Sequence, residues 1–221
     1  MAEKIAVLIC AYNEEKHIKK VVNHALKKIK PVIVVNDGSK DNTLGELKKT
    51  KAVIINQQPN KGKGMALRTG FKFAQNKKYD YLILMDADGQ HDPKEIPKFL
   101  KEIRKNHPDL IIGTRKKRRS AMPKKRRASN FITSSLISAK RRKWIKDTQS
   151  GYRAVKVSFL KKINLKRKSY DLETEMLMKM IKKGARVSQI PIKTIYADEE
   201  SKINPAKEIP RFLKILLRRT K

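Results

Sequence analysis

Short runs of apolar residues alternate with stretches in which apolar residues return every third or fourth position. The runs are KIAVLIC (4–10), PVIVVN (31–36), KAVIIN (51–56), DYLILMD (80–86) and DLIIGT (109–114). Each is nearly continuous, the pattern of a strand covered on both faces, as in a parallel sheet. Between the first two, Ile18, Val21, Val22, Ala25, Leu26 and Ile29 fall on one helical stripe. Residues 64–75 and 94–105 also read as helices, and Asp92-Pro93 supplies a start for the second. Strand and helix thus alternate through the first half. That order predicts an α/β fold: an open, mostly parallel sheet flanked by helices.

The second half is patterned differently. Residues 115–127, RKKRRSAMPKKRR, form a basic loop, and a helix is expected over about 128–141. DTQSGYRAVK (147–156) reads as a turn leading into a short strand. Residues 171–183 should be helical and end at Gly184, and VSQIPIKTI (187–195) can form a last strand. The tail is an amphipathic helix, with Ile209, Phe212, Leu213, Leu216 and Leu217 on one stripe and Lys207, Arg211, Lys214 and Arg218 on another. No repeat or Gly/Ser linker divides the chain. The expectation is one domain over 1–206, with 207–221 either part of it or an anchor on a membrane surface.

Composition narrows the partners. The 221 residues carry 55 Lys+Arg against 21 Asp+Glu, a formal charge of +34. Such a charge favours an anionic partner: nucleic acid, an anionic membrane face or a phosphorylated substrate. The single cysteine, Cys10, excludes an intramolecular disulfide and a cysteine-rich zinc site. The longest apolar run, IAVLICAY (5–12), falls far short of the roughly 20 residues that span a bilayer.

Polar clusters sit where four strands should end: AYNEE (11–15), NDGSKDNT (36–43), NQQPNKGKG (56–64) and DADGQH (86–91). Ligands of open α/β sheets gather beyond the carboxyl ends of strands. Asp86 and Asp88 are two apart, so an extended backbone turns both to one side, where like charges repel. A divalent cation removes that cost, and hard oxygens suit Mg²⁺ or Mn²⁺, with Gln90 able to add a carbonyl; a plain polar turn is the alternative. Asp37 can hold a base or ribose, or cap its own turn. Glu14 can line a pocket, or simply complement a helix dipole. NKGKG is not a phosphate loop of the Gly-x-x-x-x-Gly-Lys-Ser/Thr type; Gly62 and Gly64 can admit a close backbone approach with Lys63 near a phosphate. Arg115 and Arg127 adjoin ordered elements and can bind phosphate, whereas the other bases of that run read as solvated. His91 is either a loop residue or a neighbour of the ligand site, and Trp144 a core or interface anchor. Glu173, or else Asp171, is the candidate general base if the acceptor is a hydroxyl.

CAYNEE, VNDGSKDNT, NKGKGMALRTG, MDADGQHDP and DTQSGYRA together resemble glycosyltransferase family 2, which has a GT-A fold; IPIKTIYADEESKINP (190–205) extends the likeness. Within that family the chain is similar to the polyprenyl-phosphate (dolichyl-phosphate) hexose synthases. The resemblance implies inverting transfer of a hexose from a nucleotide sugar, UDP- or GDP-linked, to a polyprenyl phosphate. Carried over residue by residue, Ala11, Tyr12, Glu14, Asp37, Lys63, Asp86, Ala87, Asp88 and Lys202 would bind the nucleotide sugar. Asp88 and Gln90 would hold Mg²⁺ or Mn²⁺. Arg115, Arg127, Gln149 and Ser150, with Gly151, would face the acceptor and sugar; Asp86, Asp88, Arg115 and Glu173 are the catalytic candidates. Late in the chain EESK stands where mannose-transferring members read Gly-Glu-Ser-Lys. The expected setting is the cytoplasmic face of the cell membrane, with the basic chain held peripherally on anionic lipid. No nucleic-acid partner is expected, because interleaved aromatics on a strand platform are missing. A same-fold transferase with a hydroxyl acceptor in cell-envelope polysaccharide or glycolipid synthesis is the main alternative, and a basic nucleic-acid-binding protein is the alternative of another class.

Overall fold

The computed structural model describes residues 3–115, 145–169, 171–193 and 195. The first half follows the alternation of the sequence: β1 (Ile5–Ala11), α1 (Ile18–Leu26), β2 (Val32–Asp37), α2 (Thr43–Lys48), β3 (Val53–Gln57), α3 (Lys63–Asn76), β4 (Tyr81–Asp86), α4 (Ile96–Asn106) and β5 (Leu110–Arg115). Then come β6 (Arg153–Lys156), the short α5 (Val157–Leu160), α6 (Asp171–Lys182) and β7 (Val187–Ile192). Seven strands form one sheet in the order β3-β2-β1-β4-β6-β5-β7. All neighbours are parallel except β6, which runs antiparallel to both β4 and β5.

The continuous apolar runs of β1, β2, β4 and β5 are explained by cover on both faces, whereas β3, at the sheet edge, is only partly buried, with Val53 37% exposed. Ala6 and Leu8 of β1, with Leu82 and Leu84 of β4, pack against α3, α5 and α6. Val7, Ile9 and Ala11, with Ile83 and Met85, pack against α1 and α4. On α1 the stripe predicted from spacing is the buried one: Ile18, Val21, Val22 and Ala25. Each large aliphatic side chain so buried stabilises the fold by roughly 1.5–3 kcal/mol. The start of α4 is built as its sequence suggests. Asp92 accepts a hydrogen bond from the Lys94 N–H at 2.9 Å, and Pro93 opens a 3₁₀ turn, Pro93–Glu95, that runs into the helix. Gly184, with φ of +81°, follows the end of α6.

Strand order turns at β1. The chain moves outward through β2 and β3, then returns to the other side of β1 as β4. The crevice at such a switch point lies beyond the carboxyl ends of β1 and β4. Cys10 and Asp86 are register partners there. The predicted basic loop beyond Arg115, the helix at 128–141 and the amphipathic tail lie outside the described residues, as do Arg127, Trp144 and Lys202.

Candidate active site

At the switch point an ammonium joins two carboxylates. Lys63, the first residue of α3, places Nζ 2.6 Å from Asp86 Oδ1 and 3.0 Å from Glu173 Oε1. Glu173 lies in the first turn of α6 and reaches Lys63 because the backbone before that helix packs on the start of α3. A Cβ on Gly64 would stand 2.6 Å from the Lys168 carbonyl carbon and 2.7 Å from the Ser169 oxygen. Met65 N–H donates to the Lys168 carbonyl at 3.3 Å. The close backbone approach expected at Gly62 and Gly64 is made by the chain's own 168–169 backbone. Lys63 stays charged: burial works against the ammonium, but Asp86 and Glu173 outweigh it and raise its pKa well above the usual lysine value. For Asp86, burial likewise opposes ionisation, and Lys63, with His91 and Arg115, overrides it and holds the carboxyl far below its usual range. The Cys10 thiol faces the same cluster and burial pushes its pKa up, so it is a neutral filler.

Asp88 has the opposite electrostatics. The chain bends after β4, and Asp88 Oδ1 accepts the Gln90 N–H at 2.9 Å. Burial, then the charge of Asp86, raise its pKa, and the Gln90 N–H only partly offsets them. Among the described residues no Lys, Arg or His lies within ion-pair distance of it. A crowded carboxylate without its own cation is the electrostatic condition for a dication. Asp88 and the Gln90 amide supply hard oxygens, which suit Mg²⁺ or Mn²⁺. No group of three or more His, Cys, Asp and Glu converges among the described residues.

His91 belongs to the site. Its Nδ1 accepts the Asp86 N–H at 3.0 Å, which leaves the proton of the neutral ring on Nε2, 3.7 Å from Asp86 Oδ2. Burial lowers its pKa despite the pull of Asp86 and Asp88. The ring stacks on Tyr152 at 4.8 Å, and Tyr152 stacks on Phe99 at 4.6 Å. These contacts tie the DADGQH segment to SGYR.

The opposite wall is the 147–151 turn. Arg115, at the end of β5, presents its fork to Asp147: Nε to Oδ2 at 2.7 Å and Nη2 to Oδ1 at 2.8 Å, with both side chains buried. The fork expected to take a phosphate is thus filled from within, by an acid 32 residues away. Ser150 is 1% exposed, and its hydroxyl has no partner among the described residues. Gln149 is exposed. Gly151 is held so close to the acids that a Cβ would lie 3.0 Å from Asp86 Oδ2. Arg153, which sequence reasoning passed over, is buried and donates to the carbonyls of Ser150, Thr148 and Glu173.

The nucleotide side is only partly as expected. Ala11 and Ala87 are buried, whereas Tyr12, beyond β1, keeps 40% of its surface exposed. Glu14 is half-buried, and its N–H donates to Thr43 Oγ1 at 2.8 Å. Asp37 departs from expectation. It is 2% exposed. Its carboxylate accepts from Lys61 N at 2.9 Å, Gly62 N at 2.8 Å, Asn60 Nδ2 at 3.1 Å and Gln57 Nε2. Parallel pairing sets Gln57 opposite it. The geometry makes Asp37 the organiser of the 57–62 segment, with four donors of that segment on its carboxylate. Asp171 faces Arg167 at 3.5 Å rather than Lys63, and its other oxygen is buried without a partner among the described residues.

Known proteins are similar to this chain in sequence and fold. The model of the family described as glycosyl transferase family 2 matches residues 6–164. The UDP-N-acetylglucosamine–dolichyl-phosphate N-acetylglucosaminyltransferase of Methanococcus voltae is 34% identical over 222 residues, which cover 90% of this chain and 88% of that one. The undecaprenyl-phosphate mannosyltransferase of Micrococcus luteus is 28% identical over 203 residues, covering 86% and 82%. Among solved structures, glucosyl-3-phosphoglycerate synthase from Mycobacterium tuberculosis, in complex with Mn²⁺, UDP and glucosyl-3-phosphoglycerate, superposes with a TM-score of 0.74 at 16% identity, covering 98% of this chain and 79% of that one. It has the same GT-A fold. The switch-point site and the extent of these matches lead to one assignment: the chain belongs to glycosyltransferase family 2.

Proposed function

We propose that this chain transfers a hexose, with inversion, from a UDP- or GDP-hexose to a polyprenyl phosphate. Two relatives named for transfer to a lipid phosphate, each aligned over most of the chain, support that reading. The observation that carries the choice of acceptor is the contact between Lys63 and Glu173 at 3.0 Å. A hydroxyl acceptor needs a base free to take its proton. Glu173, the candidate for that task, must first surrender its ammonium. A phosphate acceptor is already ionised at neutral pH and needs no base.

In this mechanism the exposed ring of Tyr12 gives the nucleotide a face to stack on, with Glu14 at its border. Asp88 and the Gln90 amide are the groups that would hold Mg²⁺ or Mn²⁺. When bound, the ion would neutralise charge growing on the departing diphosphate. Lys63 keeps Asp86 ionised and fixed against the sugar side of the cleft, and Gly151 leaves room for it. The acceptor anion attacks from the face opposite the leaving group. Arg115 and the 147–151 turn line its approach, with the Ser150 hydroxyl as a hydrogen-bonding group that has no partner among the described residues. Arg127 and Lys202 are further candidates for the anionic groups. The excess of Lys and Arg suits a peripheral position on the anionic cytoplasmic leaflet, where each nearby cation adds about 1 kcal/mol of attraction. Among the described residues no helix is long and apolar enough to cross a membrane.

The test is transfer of radiolabelled sugar from UDP-glucose, UDP-N-acetylglucosamine and GDP-mannose to undecaprenyl phosphate with Mn²⁺. Labelled, acid-labile lipid from at least one donor is the expected result. Transfer to undecaprenol but not to its phosphate would overturn the reading.

A further inference from the structure

Beneath the acceptor wall lies a buried cation that the proposed chemistry does not use. Arg153 opens β6, the strand wedged between β4 and β5. Its backbone stands opposite Leu84 on one side and Ile112 on the other, just short of Asp86 and Arg115. The side chain is 1% exposed. Nε donates to the Ser150 carbonyl at 2.6 Å, Nη2 to the Thr148 carbonyl at 2.6 Å and Nη1 to the Glu173 carbonyl at 2.9 Å. Among the described residues no carboxylate lies within ion-pair distance. Glu173, Asp147 and Asp86 act on it only through space.

A guanidinium in this place is costly, and a methionine would fill the volume without desolvating a charge. An apolar side chain cannot hold three carbonyls from two separate segments. The planar fork of arginine does so in one fixed geometry, which an ammonium cannot copy.

We propose that Arg153 is a positioning residue for transfer: it holds the 147–151 turn and the first turn of α6 in one register, and so sets the Asp147–Arg115 pair against the Lys63–Asp86–Glu173 cluster. The contents of the turn show why register matters. Asp147 grips Arg115, Ser150 keeps a hydroxyl with no partner among the described residues, and Gly151 abuts Asp86. A displacement of about 1 Å in such a wall costs on the order of 100-fold in rate. The kinetic consequence rests on the transferase reading; the structural one does not.

The experiment compares full-length wild type with Arg153→Lys and Arg153→Gln. Donor affinity is measured by calorimetry with UDP and Mn²⁺, transfer to undecaprenyl phosphate at saturation, and backbone protection by hydrogen exchange. In both variants we expect UDP affinity within about threefold of wild type and kcat lower by about 100-fold. Protection should be lost at 147–151 and the first turn of α6 while β1, β2 and β4 keep theirs. Four results overturn the proposal: kcat within threefold of wild type, donor affinity falling in step with kcat, unchanged exchange at the turn, or protection lost across the sheet. If wild type itself transfers nothing to the lipid phosphate, the transferase reading fails on its own, and the exchange pattern alone decides the role of Arg153.

Discussion

Replacing Lys63 by Met is the most informative single perturbation. The side chain keeps its length and loses its charge, so two carboxylates are stranded at the base of the cleft. Removing one partner of a buried ion pair costs about 3–5 kcal/mol. Here the side chains of Lys63, Asp86 and Glu173 retain 20%, 29% and 14% exposure, so water screens part of that penalty. The lower end, about 3 kcal/mol, is the appropriate estimate. With a urea dependence near 2 kcal/mol per M, the unfolding midpoint should fall by about 1.5 M at pH 7. Adding Glu173→Gln removes one stranded charge and should restore about 1–2 kcal/mol relative to Lys63→Met alone. A loss under about 1 kcal/mol, or a double variant weaker than Lys63→Met by the full cost of Glu173→Gln, would refute the idea that this ammonium holds the cluster together.

Other outcomes follow from the same geometry. The raised Lys63 pKa means its contribution is complete below the ordinary lysine value of 10.5 and is lost as pH climbs through the higher folded value. The depressed Asp86 pKa means its contribution is present above 3.8 and lost as pH falls below it. The stability gap between wild type and Lys63→Met should therefore be widest from above 3.8 to about 10.5 and begin to narrow beyond either limit, as read from melting curves between pH 3 and 12. Asp88→Asn should slightly raise the melting temperature without ligand, because a crowded charge is removed, yet abolish any Mn²⁺-dependent stabilisation by a nucleotide sugar. Gly64→Ala should cost about 2–3 kcal/mol, since its methyl would meet backbone at 2.6 Å, and calorimetry can read that loss.

The features legible in the sequence were those written locally. Apolar runs marked β1, β2, β4 and β5 because helices cover both faces of the sheet there, while the run of edge strand β3 is only partly buried, and Asp92-Pro93 marked the approach to α4 through a side chain bonding two residues ahead. The motifs also placed Asp86, Asp88 and Lys63 correctly at strand and helix ends. Pairings that depend on strand order stayed hidden. No pattern in RAVK tells that β6 enters between β4 and β5, and that insertion is what brings Arg153 under the cleft. Arg115 looked available for phosphate because its partner Asp147 lies beyond a long basic stretch. For Asp37, nothing local shows that parallel register sets Gln57 beside it, or that the 60–62 segment donates to its oxygens. Glu173 gave the cue of a helix-start acid; its contact with Lys63 follows from two glycines that let α3 and α6 approach.

The central claim is that Lys63 occupies Glu173, so the acceptor must arrive already ionised. Its most direct test is the transfer rate of Glu173→Gln, with undecaprenyl phosphate and undecaprenol offered in parallel. The account predicts that the variant keeps transfer to the phosphate within about 10-fold of wild type and that neither protein glycosylates the alcohol. A collapse of about 1,000-fold or more in the variant, with wild-type transfer to the alcohol, would identify Glu173 as a working base and contradict the account.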